Sequence, residues 1–168
     1  MKTTRILIFC TGNSCHSQMA EGLLRQAADD LIKVYSAGIN PVGYVHPLAI
    51  EVMEKIGIDM STHTSKRYEK FINAEIDIVI TVCDEAKEAA NHLFEDARHF
   101  QWSFENPSKV AHGCETILDA FRLTRGEIAP IFQAFAAGYT QAQNPVAAAP
   151  THSEYTKIHA LPAIHALP

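Results

Sequence analysis

Short apolar runs alternate along the chain with stretches whose apolar residues recur at helical spacing. Residues 6–9, Ile-Leu-Ile-Phe, are apolar at every position, the mark of a strand covered on both faces. Further strands are predicted at 33–37, ended by Gly38, at 76–82 and at 98–102. Between them the period changes. Residues 18–29 put Met19, Leu23, Leu24 and Ala27 on one helical face, with Ser17 at the N-cap position. Helices are also predicted at 47–56, stopped by Gly57, at 84–94, and at 115–135, the last long and amphipathic.

Strands alternating with helices give βαβ units and a parallel sheet. The expected fold class is α/β: a flavodoxin-like, three-layer αβα arrangement around a four-stranded parallel sheet, with a phosphate-binding loop after the first strand. Such sheets bind ligands beyond the carboxyl ends of their strands, at the topological switch point. Cys10 and Cys83 each follow an apolar strand, so both thiols are expected on one edge of the sheet. From Asn144 onward the composition turns to Ala, Pro and His, and Ile158-His159-Ala160-Leu161-Pro162 returns as Ile164-His165-Ala166-Leu167-Pro168. Residues 1–142 are read as one domain and 143–168 as a flexible extension.

Composition narrows the partners. A chain of 168 residues suits one domain with a core of its own. Net charge is -5 and no run of Lys and Arg appears, which turns the reading away from nucleic acid and anionic membranes. The first apolar run is too short for a secretory signal, and no segment approaches the roughly 18 apolar residues of a membrane span. A cytoplasmic protein is therefore expected, in which Cys10, Cys15, Cys83 and Cys114 are free or redox-active thiols. Cys114 reads as an ordinary buried cysteine. No C-x-x-C pair occurs and the histidines are scattered, so no metal site is expected.

The chemistry concentrates in Cys10-Thr11-Gly12-Asn13-Ser14-Cys15-His16-Ser17, which joins a strand to a helix. Small residues at Thr11, Gly12 and Ser14 let the backbone curl and aim its N–H groups inward. The helix N-terminus adds its dipole, and together they make a nest for a tetrahedral oxyanion. A cysteine at the floor of that nest is expected to have its pKa lowered below the ordinary ~8.5 and to act as a nucleophile.

This loop, Cys-x-Gly-Asn-x-Cys followed by Ser, resembles that of the low-molecular-weight phosphotyrosine phosphatases and the thioredoxin-coupled arsenate reductases related to them. Gln18-Met19-Ala20-Glu21-Gly22 is closer to the reductase branch. The likeness continues through Tyr35-Ser36-Ala37-Gly38, His63-Thr64-Ser65, Thr81-Val82-Cys83-Asp84 and Trp102-Ser103-Phe104, and spans residues 4–140. The resemblance implies that Cys10 attacks arsenate, or a phosphate ester, as a thiolate. Cys83 would then attack the thiol–arsenic adduct, releasing arsenite and leaving a Cys10–Cys83 disulfide. Asn13 would shape the loop, Ser17 would donate to the Cys10 thiolate, and Thr11 to Ser17 would hold the oxyanion. No resident cofactor is implied. The implied reductant is an external thiol such as glutathione, mycothiol or thioredoxin, with thioredoxin or glutaredoxin as the protein partner. Related reductases bind potassium through residues resembling Asn13, Glu21 and Ser36. Here Ser65-Lys66 replaces their Ser-Asp, so the Lys66 ammonium is expected in the place of the metal.

Three positions depart from the family pattern. His16 stands where the family has Arg, and an imidazole cannot grip an oxyanion with a two-pronged, permanently charged fork. Asn106-Pro107 stands where the family has its Asp-Pro general acid, and a carboxamide has no proton to give; Glu105 is the adjacent carboxyl that would have to substitute. Ala90 stands seven residues after Cys83, where the thioredoxin-coupled reductases place a third cysteine. The expected activity is arsenate reduction through Cys10 and Cys83. Two alternatives stand beside it: phosphomonoester hydrolysis of the phosphotyrosine type, and a degenerate loop that binds an oxyanion or senses oxidants through Cys10–Cys15 or Cys10–Cys83 disulfides.

Overall fold

A computed structural model describes residues 3–28, 30, 32–108 and 114–143. Four strands, β1 (Thr4–Cys10), β2 (Ile32–Gly38), β3 (Ile78–Thr81) and β4 (Arg98–Gln101), alternate with four helices, α1 (His16–Ala27), α2 (Pro47–Glu54), α3 (Lys87–Leu93) and α4 (Ile117–Gln143). The sheet is parallel throughout, in the order β2-β1-β3-β4. This is the flavodoxin-like αβα arrangement that the alternating pattern predicts.

Successive side chains of a strand point to opposite faces, and the two halves of the core follow that rule. Ile6 and Ile8 of β1, with Ile78 and Ile80 of β3, face the layer of α1, α2 and α4, where they meet Leu24, Met53, Phe121 and Phe132. Leu7, Phe9 and Val79 face the other way, against Phe71, Ala86, Ala90 and Phe94. With both faces covered, β1 has no polar alternation to show, hence its unbroken apolar run. The register places Cys10 opposite Gly38 of β2 and Phe9 opposite Thr81 of β3, so β1 and β3 end almost level.

Several element ends differ from the sequence reading. Helix α1 begins at His16 rather than at 18, and its N-cap, Cys15, makes no side-chain cap bond. Ser17 is therefore not the cap: it lies inside the helix, fully buried, with its hydroxyl turned to Cys10. Helix α2 is capped by His46, whose Nδ1 accepts the Leu48 N–H at 3.2 Å, a pairing that no propensity flagged. The segment predicted as helix 84–94 splits into a 3₁₀ turn at Asp84–Ala86 and then α3. Helix α4 runs on to Gln143, past Pro130. A proline removes one N–H from a helix interior. Here Phe121, Ile128, Phe132 and Ala136 are all buried along one face, and their burial holds the helix together across that missing bond. Its start is marked by Thr116, whose Oγ1 accepts the Asp119 N–H at 3.1 Å, an N-cap bond, and donates to the Asp119 carboxylate at 2.6 Å. The extension expected at 143–168 falls, from residue 144, outside the described residues. Among the described residues no helix is long and apolar enough to cross a membrane.

Candidate active site

The loop after β1 is moulded by its neighbour. The carbonyls of Cys10, Thr11, Gly12 and Ser14 accept N–H bonds from Ile39, Asn40, Val42 and His46 at 3.1, 2.9, 3.0 and 3.0 Å. In a planar trans peptide the next N–H points opposite to the carbonyl. With these carbonyls held outward, the N–H groups of Thr11, Gly12, Asn13 and Cys15 are turned inward. The Asn13 N–H shows where they point, since it donates to Cys10 Sγ at 3.1 Å. Asn13 carries the turn at φ 45, a left-handed conformation that Asn tolerates better than most residues. Gly38 permits the close packing: a Cβ there would lie 2.5 Å from the Thr11 carbonyl oxygen.

A buried polar chain leads away from the sulfur. The Asn13 amide donates to Ser17 Oγ and to Ser36 Oγ, both at 2.9 Å. Ser17 Oγ is thus an acceptor for Asn13, and its own O–H is left to donate to Cys10 Sγ at 3.0 Å. Ser36 in turn donates to the Glu21 carboxylate in a very short bond. Asn13 Oδ1 accepts from Gln18 Nε2 at 3.0 Å and from the Lys66 N–H at 2.7 Å. Gln18 Oε1 takes the His63 Nδ1–H at 3.1 Å. Glu21 is buried and is met by Arg25 at 2.5 Å and by Lys66 Nζ at 3.6 Å, while Lys66 Nζ also donates to the Thr64 carbonyl at 2.7 Å. The Lys66 ammonium thus lies beside Glu21, next to the Ser36–Asn13 chain. Gln18, His63 and the 39–46 segment take no part in the sequence reading of the site. For Gln18 the usable signal is a polar residue on the otherwise apolar face of a helix that starts at the loop.

Burial reverses one expectation. Desolvation pushes the Cys10 thiol up to about 11, against the Ser17 hydroxyl and the Asn13 N–H, which pull it down; Cys83 and Cys15 add to the rise. The expected lowering does not hold, because among the described residues no cation acts on the sulfur to offset the loss of water. His16 is itself held below the ordinary imidazole range by burial, although the Glu105 carbonyl and the Glu85 carboxylate oppose that effect. Burial raises Cys15 as well. Alkylation of Cys10 should therefore quicken close to tenfold per pH unit from about 7 to 9.5, without levelling, because only the thiolate reacts. Peptide mass spectrometry after iodoacetamide pulses checks this, and a plateau near neutrality would show a stabilised thiolate instead.

The other predicted residues are placed as follows. Cys83 caps the 3₁₀ turn after β3, half-buried, with its Sγ 3.5 Å from Thr11 Oγ1, so it stands beside the loop as its position after β3 requires. All four cysteines are free thiols. Cys15 Sγ lies 3.6 Å from Ser108 Oγ. His16 donates its Nε2–H to the Glu105 carbonyl at 2.7 Å and packs beside Phe104. Asn106 is exposed, and its Oδ1 accepts the Ser108 N–H at 3.0 Å. The Glu105 side chain is exposed too, while its backbone is what meets His16. Ala90 is fully buried in the α3 side of the core, where a thiol would pack against Phe9 and its neighbours. Cys114 is half-buried rather than buried. Among the described residues no group of three or more His, Cys, Asp or Glu side chains gathers to hold a metal.

Comparison with known proteins gives this geometry a context. The family model described as low molecular weight phosphotyrosine protein phosphatase matches residues 5–141. Arsenate reductase 2 of Staphylococcus haemolyticus is 42% identical over 130 residues, covering 73% of this chain and 98% of that protein. The arsenate reductase of Halalkalibacterium halodurans is 37% identical over 131 residues, covering 78% and 94%. A solved arsenate reductase in the phosphate binding state superposes with a TM-score of 0.69 at 31% identity, over 81% of this chain and 98% of that one. The YwlE arginine phosphatase from Geobacillus stearothermophilus, at 23% identity and a TM-score of 0.70 over 89% and 99% of the two chains, shares the fold.

Proposed function

Because the chain belongs to the low molecular weight phosphotyrosine protein phosphatase family, we propose that it reduces arsenate to arsenite, with Cys10 as nucleophile and Cys83 as resolving thiol. The observation that carries this reading is the Cys83 thiol itself, beside the loop at the end of β3 and 3.5 Å from the Thr11 hydroxyl. Ester hydrolysis has no use for a second thiol there. Hydrolysis needs a proton for the departing alkoxide or phenolate, and the carboxamide of Asn106 has none. The named arsenate reductases among the relatives support the same choice.

The steps balance without a general acid. Cys10 attacks arsenic in the dihydrogen arsenate anion; an S–As bond forms, an As–O bond breaks, and the thiol proton leaves with that hydroxyl as water. The N–H groups of Thr11, Gly12 and Cys15 hold the remaining oxygens, and the Asn13 N–H and the Ser17 hydroxyl steady the sulfur. Cys83 then attacks Cys10 Sγ. The S–S bond forms, the S–As electron pair stays on arsenic, which falls from the pentavalent to the trivalent state, and the dihydrogen arsenite anion departs with the Cys83 proton. An external dithiol such as thioredoxin, or glutathione or mycothiol with glutaredoxin, returns two electrons to the Cys10–Cys83 disulfide. Ala90 leaves the α3 core without a thiol to relay them, so the reductant has to meet the Cys83 side directly. The proposal places the protein in the cytoplasm, where such reductants keep thiols free.

Cys83→Ser separates this reading from hydrolysis. Arsenite production should fall at least about 10²-fold in every thiol couple, while phosphate still binds. Undiminished turnover in glutathione–glutaredoxin and thioredoxin couples would remove Cys83 from the reaction.

A further inference from the structure

We infer, resting on the reading of this loop as an oxyanion site, that it takes the singly charged, protonated form of its tetrahedral oxyanion and turns away the dianion.

The donors that line the loop are dipoles. They are the N–H groups of Thr11, Gly12 and Cys15 and the start of α1, the Asn13 N–H being given to Cys10 Sγ. The two basic side chains on the polar network are engaged elsewhere. Lys66 Nζ is held by the Thr64 carbonyl and the Glu21 carboxylate, and Arg25 by Glu21 and by the Val34 carbonyl at 3.0 Å. A dianion in a low-dielectric nest needs a counter-charge, and these residues do not supply one. Neutral N–H groups suffice for a single charge.

The remaining polar groups fit a protonated ligand. His16 uses its Nε2–H on the Glu105 carbonyl, so the neutral ring presents Nδ1 as a lone-pair acceptor. An As–OH or P–OH hydrogen can meet such an atom, and a bare oxyanion cannot. Residues 105 and 108 rest on residues 16 and 15, through the His16–Glu105 bond and the Cys15–Ser108 contact. Asn106 lies between them, exposed, with its Oδ1 turned to the Ser108 N–H, and its carboxamide brings no charge to that segment. Among the described residues, the titratable side chains that act on Cys10 or on the His16 ring are Cys15 and Cys83, on the sulfur, and the Glu85 carboxyl, on the ring. Glu85 acts on His16 directly. A carboxylate beside the ring repels a second negative charge on the ligand more than a first. A site built around a hydroxyl also rejects the analogue lacking it, because its own polar atom is left unpaired.

Calorimetric titration of the full chain with inorganic phosphate and with sulfate tests this. Phosphate is mainly the monoanion at pH 5.5 and the dianion at pH 8, whereas sulfate is a dianion at both. Phosphate should bind about tenfold more weakly at pH 8 than at pH 5.5, and sulfate weakly throughout. In His16→Arg, sulfate should bind at least about tenfold more tightly and the slope for phosphate should flatten. Sulfate binding as tightly as phosphate at pH 5.5 would put the proton on His16 rather than on the ligand and overturn the inference. Phosphate affinity that holds or rises towards pH 8 would overturn it too, with the oxyanion site itself left standing. If neither ion binds at either pH, the oxyanion reading fails and takes this one with it.

Discussion

Cys10→Ser is expected to abolish arsenite formation, by on the order of 10⁴-fold or more, while the protein stays folded. The sulfur stands at the floor of the loop, where the Asn13 N–H and the Ser17 hydroxyl both reach it. A serine hydroxyl can accept the same two bonds at nearly the same volume, so the packing of β1 is preserved and unfolding should shift by less than about 1 kcal/mol. What is lost is the chemistry. An oxygen in that position is a poorer nucleophile towards arsenic, and it cannot be joined to Cys83 as a disulfide, so electrons have no route out of the adduct. The raised thiol pKa slows attack by the parent protein but does not weaken the expectation, because a serine hydroxyl ionises far less readily than any thiol. Arsenite measured over many turnovers, with thermal unfolding in parallel, checks it. Activity within tenfold of the parent protein would mean that another residue attacks.

Asn13→Ala should destabilise the fold by about 4 kcal/mol, a large part of a typical margin of 5–15 kcal/mol. Asn13 is fully buried and gives or takes bonds with Ser17, Ser36, Gln18 and the Lys66 N–H. Removing its amide strands several buried partners at roughly 1–3 kcal/mol each, partly recovered by water. Alanine at φ 45 adds about 1–2 kcal/mol of backbone strain. Asn13→Gly isolates the second contribution: it relieves the strain, leaves the bonds missing, and should recover about 1 kcal/mol. Denaturant midpoints at constant slope give both values. A loss below about 1 kcal/mol in Asn13→Ala would mean that the network closes over the gap without Asn13.

Some of this was readable from residues alone and some was not, for definite reasons. β1 and the cysteine after it could be read because a strand buried on both faces writes its burial into every position. Cys83 could be placed on the same edge because parallel strands end on one side. Ser17 misled. A serine before a helical run serves equally well as a cap or as a partner for a thiol, and only the approach of Cys10 Sγ distinguishes them. The loss of the family Arg at His16 was plain, but the imidazole's actual partner is a backbone carbonyl on Glu105, far along the chain. The Cys10 pKa went the wrong way because the local pattern displays the donors of the nest and not the depth at which the sulfur lies. The 39–46 segment left no trace because it acts through backbone N–H groups, which every residue but proline carries.

That segment has a further consequence. Its bonds to four loop carbonyls fix the curvature of the nest whether or not an anion is present. A cradle whose form is set in advance gives up little conformational entropy when it fills, so the work of recognition passes to geometric match. Inward N–H vectors arranged around a tetrahedron leave a flat anion of equal charge, such as nitrate, with donors it cannot satisfy. Shape would then sort ligands before charge does, and the sorting would survive changes to the side chains at the rim so long as residues 39–46 keep their course.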